Sequence, residues 1–428
     1  MSLQARNTEA MEDQISGDNH VIDPVEGRLE VKYGLPGVVK FCRHCVISNQ
    51  RPSSTQEFGH HAGSRKQTIA FDANGVCEAC QFAEIKNREV DWDRREHELK
   101  AMLERFRSRN SSYDCLVPGS GGKDSVYASH VLKIKYGMNP LTVTWSPHLY
   151  TDVGWRNFQS WLHRGGFDNY LFTPNGQVHR KLTELAYRNL LHPFQPFILG
   201  QKNFAPKVAA RLKIPLVIYG ENEAEYGNPI SENSSSRRAN GYFALGAGSN
   251  VKLYLGGVSV DELEAHGIGH GDIDAYLPAN QQDLDETGVE VQYLGYYLKW
   301  TPQECYYYAA ENVGFEANTE RTEGTYSKYN SIDDKTDGYH YWTTYVKFGI
   351  GRATYDAAQE IRNGHIDREE GVALVRRFDG EFPRRYFSEF LDYLSMDETE
   401  FFEIADKFRS PHLWRKTGAG WELRHKVV

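Results

Sequence analysis

A glycine-rich turn that passes from an apolar run directly into a helical pattern constrains the fold of this chain more than any other stretch. It reads Pro118-Gly119-Ser120-Gly121-Gly122-Lys123-Asp124-Ser125, between residues 114–117 and 124–136. Glycines let backbone N–H groups converge on an anion, and a helix N-terminus adds a favourable dipole. Ser120 and Ser125 add hydroxyl donors and Lys123 a positive charge, so the loop suits a phosphate or pyrophosphate. It is not a Walker A loop, which needs Gly where Val117 stands and Ser or Thr where Asp124 stands. Nor is it Gly-x-Gly-x-x-Gly, whose third glycine would fall on Asp124.

Short apolar runs alternate with helix-length segments on both sides of the turn. Strands are predicted at 114–117, 141–145, 169–172 and 215–219, with helices at 124–136, 155–164, 179–191 and 203–212. This alternation predicts an α/β fold, a doubly wound and mainly parallel sheet. After Gly220 the rhythm dissolves into a Gly/Ser/Asn-rich stretch, 222–257, and helical spacing returns at 303–313 and from 353 to the end. The expected organisation is a polar, loosely ordered arm (1–38), a four-cysteine module (39–85), a charged helix or linker (86–112), a nucleotide-binding α/β domain (113–300) and a mainly helical C-terminal region (301–428).

Cys42, Cys45, Cys77 and Cys80 make two Cys-x-x-Cys knuckles, while Cys115 and Cys305 stand alone. Each knuckle places two sulfurs on one tight turn, so the two together complete a tetrahedral shell for a structural zinc ion. The intervening loop is longer than in common zinc ribbons, but closure entropy grows only slowly with length. The formal net charge is −9, which argues against nonspecific nucleic-acid binding. No apolar run is long enough for a membrane span, and the first residues lack the apolar core of a secretory signal. The expectation is a soluble, cytoplasmic protein.

Ser120-Gly-Gly-Lys-Asp-Ser125 resembles the PP-loop of the ATP pyrophosphatase superfamily, which cleaves ATP to AMP and pyrophosphate while adenylating a carbonyl oxygen. Together with Phe41-Cys42-x-x-Cys45, Cys77-x-x-Cys80 and Tyr219-Gly-Glu-Asn-Glu-Ala-Glu-Tyr-Gly227, it resembles the N-acetyl sugar amidotransferase family, of the pseudaminic acid and O-antigen (lipopolysaccharide) biosynthesis type. Ser331-Ile-Asp-Asp-Lys-Thr-Asp-Gly338, Lys347-Phe-Gly-Ile-Gly-Arg352 and Phe378-Asp-Gly-Glu-Phe-Pro383 fit the same family, so the resemblance covers about residues 40–385. It implies a nucleotide-activated sugar or sugar acid as substrate. ATP adenylates its N-acetyl oxygen, ammonia attacks the imidate carbon, and AMP leaves an acetamidino group.

Lys123, Asp124 and Ser125 are the expected catalytic residues, and Ser120, Gly121 and Gly122 join them in holding ATP. The resemblance places the adenine near Thr144 and Trp145, although Trp145 reads equally as core. Glu221, Glu223 and Glu225 follow the fourth strand, at the sheet edge where ligands bind in open α/β folds. They are candidates for Mg²⁺ with the ATP phosphates, or members of a solvated acidic loop. Lys335 and Arg352 are candidates for a sugar carboxylate or phosphate. The histidines of His266-Gly-Ile-Gly-His270 read as part of a mobile loop, and His44, His60 and His61 as inert. Cys115 and Cys305 lie in a strand and a helix and read as small buried residues, so a glutaminase site is not expected here. The resemblance implies ammonia from a separate glutaminase and a cyclase-like synthase subunit. The alternative is a PP-loop tRNA-thiolating enzyme, which would want sulfur-handling cysteines near the loop and a basic RNA-binding face.

Overall fold

A computed structural model of the chain describes residues 29–54, 57–110, 112–229, 235–246 and 248–428. The second knuckle opens α1 (Glu78–Arg88), which is capped by Cys77 and contains Cys80, and the charged segment beyond it forms α2 (Trp92–Phe106). The Asp91 side chain caps α2 by accepting from the Arg94 N–H, which satisfies a donor the helix itself cannot. The helical spacing of Leu99, Met102 and Leu103 buries one face of α2 against the sheet.

β1 (Cys115–Pro118) leads through the glycine-rich turn into α3 (Lys123–Ile134). β2 (Pro140–Trp145), α4 (Asp152–His163), β3 (Asn169–Phe172), α5 (Gly176–Leu190), α6 (Gln195–Leu212) and β4 (Leu216–Tyr219) follow. The strands pair parallel in the order β3-β2-β1-β4. A fifth parallel strand, Glu290–Tyr293, lies against β4, and the antiparallel pair Arg237–Arg238 closes that edge. The central strands β1, β2 and β4 are buried on both faces. Leu116, Val143 and Val217 pack against α5 and α6, while Cys115, Val117 and Ile218 pack against α2 and α3. Alternate residues of a strand face opposite ways, which is what separates these two cores.

Two local devices shape the helical layer beside β2 and β4. At Gly200 in α6, a Cβ would stand 2.1 Å from the Trp145 indole, so only glycine permits this close packing. Pro206 removes one N–H inside α6, and the Tyr219 hydroxyl at the end of β4 donates instead to the freed Lys202 carbonyl at 3.2 Å.

The cysteine module does not stand apart. Its buried cysteines, Val46 and Ile69 share one core with Ile350, Ala357, Ile361 and Val375 of the C-terminal region. Of the expected polar arm, residues 1–28 lie outside the described residues, but 29–38 are packed. Leu35 is buried with Phe348 and Trp414, and the Tyr33 hydroxyl donates to the Phe408 carbonyl at 2.6 Å. The C-terminal region is helical from Asp337–Phe348 through Glu398–Lys407 but then turns into a hairpin, Trp414–Thr417 with Gly420–Leu423. Helix to the end was the expectation. Gly418 and Gly420 instead supply a turn, and the Trp414 ring anchors the hairpin in the core.

Candidate active site

The glycine-rich loop works because two of its glycines stand where no side chain fits. A Cβ on Gly119 would stand 2.1 Å from Ser125 Cβ. Gly121 has φ +85°, and a Cβ there would stand 2.7 Å from the Phe158 Cα. The residue capping α3 is Gly122, which offers no side chain to the helix, so the first N–H groups of α3 remain open to a ligand. Ser125 Oγ donates to the Gly122 carbonyl at 3.0 Å and holds the turn closed.

Above the loop, at the carboxyl edge of β1, β2 and β4, lies a cavity of about 330 Å³. Ser120, Gly122, Asp124, Ser125 and Trp145 are on its wall, as are Glu221 and Glu223. Gly121, Lys123 and Thr144 are not. Thr144 points to the opposite face of the sheet, where it accepts from the Asn169 side-chain amide at 3.0 Å. The Trp145 ring sits in the core among Phe172, Phe204 and Tyr276 and presents one edge to the cavity. Rings Phe197, Tyr219 and Tyr293 complete an aromatic wall.

Charge is concentrated on the loop side. Lys123 Nζ lies 2.5 Å from Asp124 Oδ2. Burial alone would push this ammonium down, but Asp124 and Glu221 carry it above its ordinary value. Burial and the nearby Asp124 carboxylate push Glu221 up to about 7. Two aspartates come near from the C-terminal region. Asp333 lies beside Ser120 and is raised by burial. Asp337 is pushed up to about 7 by burial, against the pull of Arg352. Asp124 Oδ1 is buried without a hydrogen-bond partner among the described residues. No three acids here converge within ligand distance among the described residues, so Mg²⁺ would rely on the free Asp124 oxygen and complete its shell with phosphate oxygens and water.

The three glutamates after β4 part company here. Glu221 faces the loop. Glu223 pairs with Arg238 at the cavity rim. Glu225 is turned away into a buried ion pair with Lys86 at 2.9 Å, so it is a structural residue and not a magnesium ligand. The short turn Glu223–Tyr226 rotates the chain and separates them. Arg51 of the cysteine module holds this turn by donating to the Gly227 carbonyl at 3.2 Å. Arg352 is half-buried near the acidic cluster, paired with Asp356 at 3.0 Å. Lys335 is on the surface, paired with Glu389 at 2.7 Å, and does not reach the cavity. Sequence reasoning missed Asp333, Asp337 and Tyr226, which lies beside Glu221 on the cavity wall. The aspartates lie in the Ser331–Gly338 motif, so a motif had marked the segment without revealing where it folds.

The four knuckle sulfurs form a buried cluster with ligand atoms within 4.8 Å of one another. Cys42 Sγ stands 3.9 Å from Cys80 Sγ, and Cys45 Sγ 3.8 Å from Cys77 Sγ. N–H groups of His44, Cys45 and Cys77 point at Cys42 Sγ from 3.3 to 3.5 Å, as they do around a metal-bound thiolate. The cluster has the make-up of a metal-binding site.

Residues 323–427 match the family model described as LPS biosynthesis protein WbpG-like, C-terminal domain. The C-terminal region, which carries Asp333, Asp337 and Arg352, is thus similar to that domain. An uncharacterized protein of Methanocaldococcus jannaschii is 29% identical over 83 residues, 19% of this chain and 29% of that protein. The chain thus spans under a third of that relative's length. The U34-tRNA thiolase NcsA from Methanococcus maripaludis, with its 4Fe–4S cluster, superposes with a TM-score of 0.30 at 13% identity, over 84% of this chain and 91% of that one. NMN synthetase from Francisella tularensis gives 0.25 at 14% identity, over 51% and 85%. Both likenesses are weak, and the fold stands on its own sheet order. No helix among the described residues is long and apolar enough to cross a membrane.

Proposed function

We propose that this chain is an ATP-dependent amidotransferase of lipopolysaccharide or O-antigen biosynthesis, including the pseudaminic acid type. It converts the N-acetyl group of a nucleotide-activated sugar or sugar acid into an acetamidino group. The observation that carries the reading is the glycine-rich loop with its open α3 N-terminus, faced by Asp124 and Glu221, with Asp333 beside Ser120. The match of residues 323–427 supports the biosynthetic setting.

ATP lies with its triphosphate on the α3 N–H groups and the hydroxyls of Ser120 and Ser125, and its base against the aromatic wall. Asp124 would hold Mg²⁺, which would supply charge neutralisation on the phosphates, and Glu221 stays free for proton transfer. An amide oxygen is a weak nucleophile and its carbon a weak electrophile, so the protein's work is positioning and charge stabilisation. Adenylation turns that oxygen into a leaving group and releases pyrophosphate. Ammonia adds to the imidate carbon, AMP departs, and the acids near the loop take the surplus proton. Glu221, with a pKa of about 7, is the acid best matched to that transfer near neutral pH.

Cys42, Cys45, Cys77 and Cys80 would hold zinc as a structural ion that fixes the module behind the Glu221 loop. Cys115 and Cys305 are fully buried, with thiols raised by burial, the opposite of a reactive nucleophile. In this reading, as the family resemblance implies, ammonia is delivered in the cytoplasm by a separate glutaminase and its cyclase-like synthase subunit. The test is mass spectrometry of nucleotide sugars after incubation with ATP and ammonium. Replacement of oxygen by NH in an N-acetyl sugar supports the reading. Sulfur transferred to tRNA would replace it with the thiolating alternative.

A further inference from the structure

We propose that Glu57, His60 and His192 form a second metal site, distinct from the four cysteines and from the ATP cavity, for a borderline divalent ion such as zinc. Glu57 and His60 belong to one short turn of the cysteine module, Glu57–Gly59 and the residue after it. His192 lies in the corner between α5 and α6. One carboxylate oxygen, Glu57 Oε2, stands 2.9 Å from His60 Nδ1 and 3.7 Å from His192 Nε2, and the three donor atoms lie within 4.8 Å of one another. Donors bound to one zinc ion at about 2.0–2.2 Å stand about 3–4 Å apart, so one ion fits with small side-chain adjustments. The 3.7 Å gap is too long for a hydrogen bond and suits two bonds to a shared ion.

The donors are shielded, with side-chain exposures of 11%, 6% and 14% for Glu57, His60 and His192. Burial keeps both imidazoles neutral, the form that binds a metal. A third imidazole, His340, stacks on His192 with ring centres 5.3 Å apart, and its Nδ1 is buried with no hydrogen-bond partner among the described residues. Two imidazoles and one carboxylate leave an open position, the pattern of sites that bind a further ligand.

Lys66 and Lys347 also face this cluster. Their charge opposes Mg²⁺ and Ca²⁺, which oxygen sites hold largely by electrostatics. It leaves ions that bond imidazole strongly, such as zinc. An ion here would tie the module's turn to the α5–α6 corner, a junction now bridged by Gln195 Nε2 donating to the Glu57 carbonyl at 3.0 Å.

The test is elemental analysis of the full chain, loaded with zinc and freed of excess by gel filtration. His192→Ala should bind one equivalent fewer than the unaltered chain. After cobalt loading, the thiolate-to-cobalt absorption of the four-cysteine site should be unchanged, which shows that the module is intact. If His192→Ala yields no folded protein, Glu57→Gln is read in the same way. Loss of one equivalent with the thiolate band retained supports the site. Equal metal content in the variant and the unaltered chain overturns it.

Discussion

Replacing Glu221 by Gln should stabilise the ligand-free protein while impairing its chemistry, and pH separates the two effects. The carboxyl is held between burial and Asp124, which raise it from 4.5 to about 7. A folded-state pKa above the unfolded one means that the folded chain keeps the proton longer. Stability is therefore lost as pH rises from about 4.5 to 7, and above that the charged form carries the whole cost. A rise of this size corresponds to about 3 kcal/mol. The Lys123 charge offsets part of that cost, so an increment of about 1–3 kcal/mol is expected from the neutral amide. Unfolding entropy grows with chain length, so the expected gain in Tm at pH 8 is about 1–3 °C. At pH 5 the gain should fall to about a quarter, because Glu221 is then neutral in the folded chain and mostly ionised in the unfolded one. Asp337 and Lys347 titrate in the same range, and comparing variant with parent at each pH removes their share. Thermal melts at pH 5 and pH 8 measure both quantities. A variant less stable than its parent at pH 8, or equally favoured at both pH values, would refute the reasoning.

Gly119→Ala should abolish nucleotide binding measured by calorimetry, because its Cβ meets Ser125 at 2.1 Å, whereas Gly241→Ala, with nothing within 4 Å, should bind normally. Glu225→Gln should destabilise the fold by about 3 kcal/mol in denaturant titrations, since it removes the only opposing charge bonded to the buried Lys86 ammonium among the described residues and leaves it the neutral Trp300 carbonyl and Asn363 side chain. The folded fraction of that variant should cleave ATP at the parental rate, and a selective loss of cleavage would return Glu225 to the site. Cys77→Ser should lose the four-cysteine metal in elemental analysis and most soluble protein with it. A soluble, active, metal-free variant would contradict a structural role.

The sheet was legible because its strands are apolar runs bounded by turn residues, and β3 falls on the expected residues 169–172. Glu290–Tyr293 was not legible. Two of its four residues are polar, and it joins the sheet after a long irregular excursion, so only its pairing with β4 makes it a strand. The loop glycines could be read because their demands are local. The pairing of Thr144 with Trp145 ignored the two-residue period of a strand, which sends neighbours to opposite faces. Asp333 reaches Ser120 across more than 200 residues of chain, a closure set by the C-terminal region packing on α5 and on the cysteine module. No local pattern encodes such a contact. Glu221 and Glu225 look alike in the sequence and differ only once Lys86 claims the second.

The central claim is that the substrate's amide oxygen is adenylated before nitrogen enters. It is tested most directly by supplying a panel of nucleotide-activated N-acetyl sugars carrying heavy oxygen in the acetamido carbonyl, with ATP and ammonium. The released nucleotide is then weighed by mass spectrometry. The account predicts AMP that carries the heavy oxygen, formed in step with pyrophosphate and an acetamidino sugar. Unlabelled AMP alongside amidine, or ADP and phosphate as the products, would contradict it.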